Sequence, residues 1–226
     1  SRMKELCKRL RADCAALWQA FRPHGSGWPY LLVVSLIAIS TVFLRMLFLS
    51  YPMRYDEAYT VTAFANRPWL NLLSDYSLPN NHIFHSILVK LAMQMFGSDP
   101  WVVRLPAFIH GILCIPAAYL LARQFYGRSA AILSAGLVAA LPMMTTAATN
   151  ARGYSQYMVY SLVLFNLAII LLKQANLAGW GMFILTAAVG CYTVPFMLFP
   201  LGAACLWMAA SAVGGEARQA YGSIRR

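Results

Sequence analysis

Apolar residues in this chain fall into separate long blocks rather than alternating with polar ones. The clearest are Tyr30 to Leu49, Trp101 to Ala122, Ala130 to Thr146, Tyr154 to Leu172, Ala178 to Val194 and Phe196 to Val213. Each is close to the ~20 residues that a helix needs to cross the hydrocarbon core of a bilayer. Transmembrane strands would instead give weaker alternating segments of about ten residues. The first block is too long for a removable leader, lacks a small-residue cleavage site and is followed by further blocks. Tyr192-Thr193-Val194-Pro195 predicts a break between the fifth and sixth blocks. His82 to Phe96 is apolar but short, and it carries His82, His85, Lys90 and Gln94. Whether it crosses decides which side everything after it faces.

Charge settles that choice. Lys4, Lys8, Arg9, Arg11 and Arg22 precede the first block; Arg123 and Arg128 flank the link between the second and third; Lys173 follows the fourth; Arg218, Arg225 and Arg226 follow the last. If His82 to Phe96 lies flat on the outer surface, all of these share the cytoplasmic side, as the positive-inside rule requires. The prediction is an all-α integral membrane protein: a bundle of about six transmembrane helices with amphipathic juxtamembrane helices in the first outer loop. Residues 1–29 form a basic cytoplasmic segment, 30–213 the membrane domain with an outer loop over 50–100, and 214–226 a cytoplasmic tail. Both termini are expected in the cytoplasm of a multi-pass inner-membrane protein.

Composition agrees: 60% of residues are hydrophobic and only 11% charged, against roughly 25% charged in soluble domains. The net charge of +11 belongs to the ends of the apolar blocks, which argues against nucleic acid as a partner. Met3 to Phe21 reads either as an amphipathic helix on the anionic inner leaflet, with Leu6, Leu10, Leu17, Trp18 and Phe21 toward lipid, or as a solvated basic tail. Cys7, Cys14, Cys114, Cys191 and Cys205 show no metal-binding spacing and no disulfide framework. Arg45 lies near enough to the outer end of its block to snorkel toward the surface. The outer loop is rich in Tyr and Trp, which suit the headgroup layer and also suit sugar rings. A helix is expected to start after Asn80 or Asn81, capped by an Asn.

Candidate chemistry gathers on the outer face. The chain has seven acidic residues, and two of them, Asp56 and Glu57, stand side by side just beyond the first block. Three clusters share that face: Arg54, Asp56 and Glu57 with Tyr55; Asn80, Asn81, His82 and His85; and Asn150, Arg152, Gly153 and Tyr154. Ionisable residues at the ends of spans mark functional sites, although Arg54 and Arg152 also suit plain interfacial anchoring. His82 and His85, three apart on one helix face, can bind a divalent metal together with Asp56 or Glu57. Contact with substrate phosphate, or structural hydrogen bonding, is the favoured use of the two histidines, and no metal or other cofactor is assigned.

The order of motifs carries more weight than any one of them. Asp56-Glu57 follows the first block, then come Leu78-Pro79-Asn80-Asn81-His82, Phe96-Gly97-Ser98-Asp99-Pro100-Trp101, Arg104-Leu105-Pro106, Ala122-Arg123-Gln124-Phe125-Tyr126-Gly127 and Ala151-Arg152-Gly153-Tyr154. Over about Tyr30 to Leu172 this resembles the N-terminal half of family 39-type glycosyltransferases of the GT-C superfamily, which include protein O-mannosyltransferases and the lipid A aminoarabinose transferase. The resemblance implies inverting transfer of a sugar from a polyprenyl-phosphate donor to an acceptor on the outer face. It implies Asp56, with Glu57 beside it, as general base. Arg152, followed by His82 and Arg54, would bind the donor phosphate; Asn81, His85, Tyr55 and Tyr154 would line the pocket.

Two features depart from the family pattern. Pro79-Asn80-Asn81-His82 stands where many relatives have a Pro-Pro-Leu or His-Pro-Pro element. The chain also stops at Arg226, where relatives are usually much longer, which raises a fragment or a reduced homologue. The rival expectation is therefore a non-catalytic subunit or scaffold of a larger membrane complex, with protein partners besides lipid. A transporter is disfavoured, because the acidic pair lies outside the core and no charge is buried mid-span as a coupling site would require.

Overall fold

The computed structural model describes residues 2–21, 27–75 and 81–224. All regular structure among them is helical. Helix α1 (Arg2–Phe21) leads to α2 (Trp28–Met46). The loop after α2 holds α3 (Tyr55–Tyr59), a π-helical turn (Thr60–Ala65), α4 (Trp69–Ser74) and α5 (Ile83–Phe96). Then come α6 (Pro100–Phe125), α7 (Arg128–Ala140), α8 (Pro142–Ala148), α9 (Tyr154–Lys173), α10 (Leu177–Thr193), a 3-10 turn (Pro195–Met197) and α11 (Leu198–Ile224).

Among the described residues, four segments are long and apolar enough to cross a membrane: α2, α6, α9, and the 3-10 turn with the first part of α11. The expected block from Ala130 to Thr146 is not one straight helix. It is α7 and α8, bent by 61° at Leu141, and it makes a fifth span only if the pair is taken together. Pro142 accounts for the break, since it has no N–H to donate into the preceding turn. The fifth predicted span, α10, has 17 residues; at 1.5 Å per residue it reaches about 26 Å, slightly less than the ~30 Å hydrocarbon core. The break at Thr193 to Pro195 falls where the sequence puts it. Beyond Gly214, α11 continues as helix to Ile224.

Helices α6 and α9 form the centre: 56% of the apolar window of each is buried, against 17% for α2 and 11% for α11. Small residues explain their close approach. Val103, Ala107, Gly111, Cys114, Ala118 and Ala122 recur every three or four positions on the buried side of α6, a spacing that brings helix backbones together in lipid. Polar side chains tie the two helices. Ser155 Oγ donates to Ala107 O (2.8 Å), and Asn166 Nδ2 donates to Ala117 O (3.2 Å) while its Oδ1 accepts from Gln124 Nε2 (3.0 Å).

The bundle has two chemically different ends. Where α6 ends and α7 starts, Arg128 lies over the ring of Tyr30, and Lys173 reaches Gln124. Nearby, Asp13 of α1 caps α10 by accepting from Leu177 N (2.9 Å). The sequence left α1 open between helix and tail; it is a helix docked along α10. Leu17, expected toward lipid, is instead packed in the core with Leu171 and Phe183, while Trp18 stays exposed. The opposite end carries α3, the start of α5 and the turn between α8 and α9. Helix α5 begins beside that turn, and three residues after its end α6 starts at the same end of the bundle, so α5 does not run from one end to the other.

Two expectations are corrected here. The α5 cap position is His82, with no side-chain cap bond; Asn81 instead donates to Asp75 O and accepts from Ser86 Oγ. Leu78, Pro79 and Asn80, with Tyr76 and Ser77, lie outside the described residues. Arg45 does not snorkel. It is 1% exposed and turns inward to the carbonyls of Gly111, Val138 and Ala139. A charge is thus buried inside the bundle, in the last turn of α2.

Candidate active site

Glu57 is the hub of the end that carries α3, and it is fully buried. Its Oε1 accepts from Arg104 Nε (2.7 Å) and from the backbone N–H of Ala151 (2.9 Å). Its Oε2 accepts from Arg104 Nη2 (2.7 Å) and from the backbone N–H of Arg54 (2.8 Å). The last contact is half of a capping box, in which the third residue of a helix reaches back to the residue before it. Burial pushes the Glu57 carboxyl up, but the hydrogen bonds from Arg104, Arg54 and Ala151 outweigh it and hold the group below the usual carboxylate range.

Arg104 completes the hub. Its Nη1 donates to the carbonyls of Phe48, Leu49 and Tyr51, and its Nη2 also donates to Pro52 O. These are carbonyls of the chain leaving α2, beyond the last helical hydrogen bonds. One buried ion pair thus joins the exit of α2, the start of α3, α6 and the turn at 149–153. The sequence shows Arg104 only as part of a motif; the stronger signal was a lone charge in the first turns of an apolar span.

Asp56, adjacent in sequence, has a different environment. It is 58% exposed, and its Oδ2 lies 3.5 Å from Arg152 Nη1. Arg152 is only 4% exposed. Its Nη2 donates to Tyr154 Oη (3.2 Å), and its guanidinium sits 5.4 Å from the centre of the Tyr154 ring. Its Nε and Nη1 are buried without a hydrogen-bond partner.

The turn bearing Arg152 is fixed on both sides. Ala151 N–H goes to Glu57, and Gly153 N–H goes to Nδ1 of His82 (2.7 Å). Gly153 is required by close approach: a Cβ there would lie 2.7 Å from Thr193 Cγ2 and 3.0 Å from His82 Nδ1. Because Nδ1 accepts, a neutral His82 carries its proton on Nε2. Burial, reinforced by the Arg152 cation, lowers its pKa to about 3, so the ring is neutral at physiological pH. The His82 ring meets the Tyr154 ring edge-on at 5.2 Å.

The remaining predicted residues divide. His85 is fully buried and bonds Gln156 Oε1 through Nδ1 (3.1 Å). Its Nε2, Gln156 Nε2 and Asn150 Oδ1 are buried without partners. Tyr55 is 82% exposed and stacks on Tyr59. Asn81 ties its own loop to Asp75 and Ser86. Arg54 is exposed, and it is its backbone N–H that enters the Glu57 cluster. Among the described residues no three His, Cys, Asp or Glu side chains gather as metal ligands, so the histidine and carboxylate metal site considered from sequence is not assembled.

One end of this multi-pass helical membrane protein thus carries an exposed carboxylate beside a buried, half-unpaired guanidinium. Residues 80–220, more than half of the chain, match the family described as dolichyl-phosphate-mannose-protein mannosyltransferase, and the chain belongs to that family. It is a membrane glycosyltransferase of the GT-C type. The match begins after Asp56 and Glu57 and takes in His82, Arg104 and Arg152. No curated protein and no solved structure matches the chain.

Proposed function

We propose that this protein transfers a sugar from a polyprenyl-phosphate donor to an acceptor on the outer face of the membrane, with inversion at the anomeric carbon. Asp56 takes the proton of the acceptor hydroxyl as that oxygen attacks the anomeric carbon. The bond from that carbon to the phosphate oxygen breaks, and the electron pair leaves with the lipid phosphate. A single displacement of this kind inverts the anomeric configuration. Arg152 receives the leaving charge through Nε and Nη1, since a guanidinium suits phosphate oxygens. His82 adds a neutral N–H donor from Nε2. Glu57 and Arg104 hold the frame and do not meet the substrate. Tyr55 and Tyr154 line the approach, and Arg54 lies at its rim.

The observation that carries this reading is the pairing of a half-exposed Asp56 with a buried Arg152 that retains unpaired donors. An exposed acid is free to accept a proton, and a buried unpaired donor calls for an anion.

The test uses protein in liposomes with polyprenyl-phosphate mannose bearing a labelled sugar. Asp56→Asn is expected to lower transfer by about 10²-fold or more while donor binding persists. Arg152→Met is expected to weaken donor binding. Transfer at the parent rate by Asp56→Asn would reject the assignment and favour a non-catalytic subunit. Sidedness is tested separately with a membrane-impermeant thiol reagent after the five native cysteines are replaced by serine. Ser98→Cys, just before α6, is expected to label from outside, and Ser129→Cys, in the first turn of α7, from inside; the reverse result would put the site on the cytoplasmic face.

A further inference from the structure

Arg45 is an intramembrane cation with no acidic partner among its contacts. Only Val34, Thr41 and Arg45 are buried on α2, so this helix touches the bundle along a thin stripe that ends at the guanidinium. Nη1 donates to Gly111 O (3.0 Å) and Nη2 to Val138 O (3.2 Å) and Ala139 O (3.4 Å). The last two carbonyls belong to the final turn of α7.

Those carbonyls need a donor. In an unbroken helix Val138 O would accept from residue 142, which is proline and has no N–H. Ala139 O would accept from residue 143, but Leu141 adopts φ −63° and ψ 125° and takes the chain out of the helix. A buried carbonyl without a partner is costly in lipid. Arg45 supplies, from another helix, the donors that the break removes.

The same contact point governs where α8 goes. A Cβ on Gly111 would lie 2.3 Å from Ala148 Cβ and 3.3 Å from Arg45 Nη1. Helix α8 therefore lies against the backbone of α6 at the residue whose carbonyl Arg45 holds. From Ala148 the chain passes directly into the turn whose Ala151 N–H meets Glu57 and whose Gly153 N–H meets His82.

We propose that Arg45 is a positioning residue: it fixes the bend between α7 and α8 and so presents the 149–153 turn, with Arg152, to Asp56. Only the consequence for donor binding rests on the glycosyltransferase reading above.

Hydrogen exchange on the detergent-solubilised protein tests the structural part. Arg45→Met keeps an unbranched apolar stem and removes every donor. It is expected to speed exchange of the 149–153 amides by about tenfold or more, the scale set by losing charge-assisted hydrogen bonds, while α6 and α9 keep their protection. Arg45→Lys, with one cationic donor group, is expected to fall between. Gly111→Ala, which pushes α8 off α6 and keeps every Arg45 donor, its Cβ meeting Nη1 only at 3.3 Å, is expected to give the same local signature, and with Arg45→Lys it carries the test if Arg45→Met does not fold. Parent-like exchange at 149–153 in all three variants, or a uniform loss across α6 and α9, overturns the proposal. The KM for polyprenyl-phosphate mannose is expected to rise about tenfold in the variants that loosen the turn, with a smaller change in kcat. If exchange quickens and KM does not move, positioning by Arg45 stands and donor binding by Arg152 is rejected.

Discussion

Neutralising each of the two adjacent acids in turn is the sharpest available perturbation, because the structure gives them opposite environments. Glu57→Gln replaces a buried carboxylate with an amide of the same shape. In either orientation the amide nitrogen must then face the Arg104 guanidinium together with the Ala151 or the Arg54 N–H, donor against donor. Arg104, 2% exposed, is left as a buried charge without a counter-ion. Breaking one side of a buried pair costs about 3–5 kcal/mol. For a chain of this size each kcal/mol moves Tm by about 2–4 °C, so the expected fall is on the order of 10 °C. Asp56→Asn removes only an ion pair at 3.5 Å whose carboxylate is 58% exposed, and such pairs contribute at most about 1 kcal/mol. Thermal unfolding in detergent, followed by tryptophan fluorescence, measures both. Glu57→Gln is expected to lose stability strongly and Asp56→Asn little, while only Asp56→Asn loses transfer in a fully folded state. Equal shifts in Tm, or a Glu57→Gln protein as stable as its parent, would refute the division of labour.

Two further perturbations follow from the same geometry. His82 and His85 both have folded pKa values lowered to about 3 by burial, with the Arg152 cation adding at His82 and His82 itself at His85. The unfolded chain takes up these protons near pH 6.5 and the folded chain does not, so stability is complete above about pH 6.5 and falls as pH drops toward 3. At pH 5 the loss is about 2 kcal/mol per histidine; a Tm that is flat from pH 7 to 5 would contradict it. Gly153→Ala, whose Cβ meets Thr193 and His82, is expected to cost about 1–3 kcal/mol and to displace Arg152, read as a lower Tm together with weaker donor binding. A silent Gly153→Ala in both assays would show that the turn has room to relax.

Much of the fold was legible because lipid imposes a coarse rule: apolar blocks of sufficient length become helices, and their ends collect charge. Four of the six blocks correspond each to one helix, and Phe196 to Val213 to a 3-10 turn that runs on into α11. The exception, Ala130 to Thr146, hid its break because Pro142 sits in a sequence as apolar as its surroundings, and composition says nothing about where a carbonyl loses its donor. The meeting of Asp56 with Arg152 followed from topology once α5 was kept on one face. The separation of Asp56 from Glu57 did not follow, because it depends on Arg104, 47 residues further on, which selects one acid for burial. Arg45 was misread because its place near the end of the block gives its depth along α2 but not the side it faces, and the guanidinium turns to carbonyls of α6 and α7 instead of the surface.

The buried arginines taken together argue for the role of Arg152. Arg104 spends its nitrogens on Glu57 and on four carbonyls at the exit of α2. Arg45 spends Nη2 on two carbonyls at the break after α7 and Nη1 on Gly111 O of α6, leaving only Nε unpaired. Lys90 follows the same rule at the end of the π-helical turn, donating to Ala65 O and Arg67 O. Each of these cations repairs a place where backbone carbonyls have lost their helical donors. Arg152 repairs nothing: its one hydrogen bond among the described residues goes to a tyrosine hydroxyl, and Nε and Nη1 are left over. A guanidinium needed only for structure would be held as Arg104 is. Arg152 is instead fixed by its backbone neighbours, Ala151 on Glu57 and Gly153 on His82, which leaves its side chain available to an anion beside Asp56.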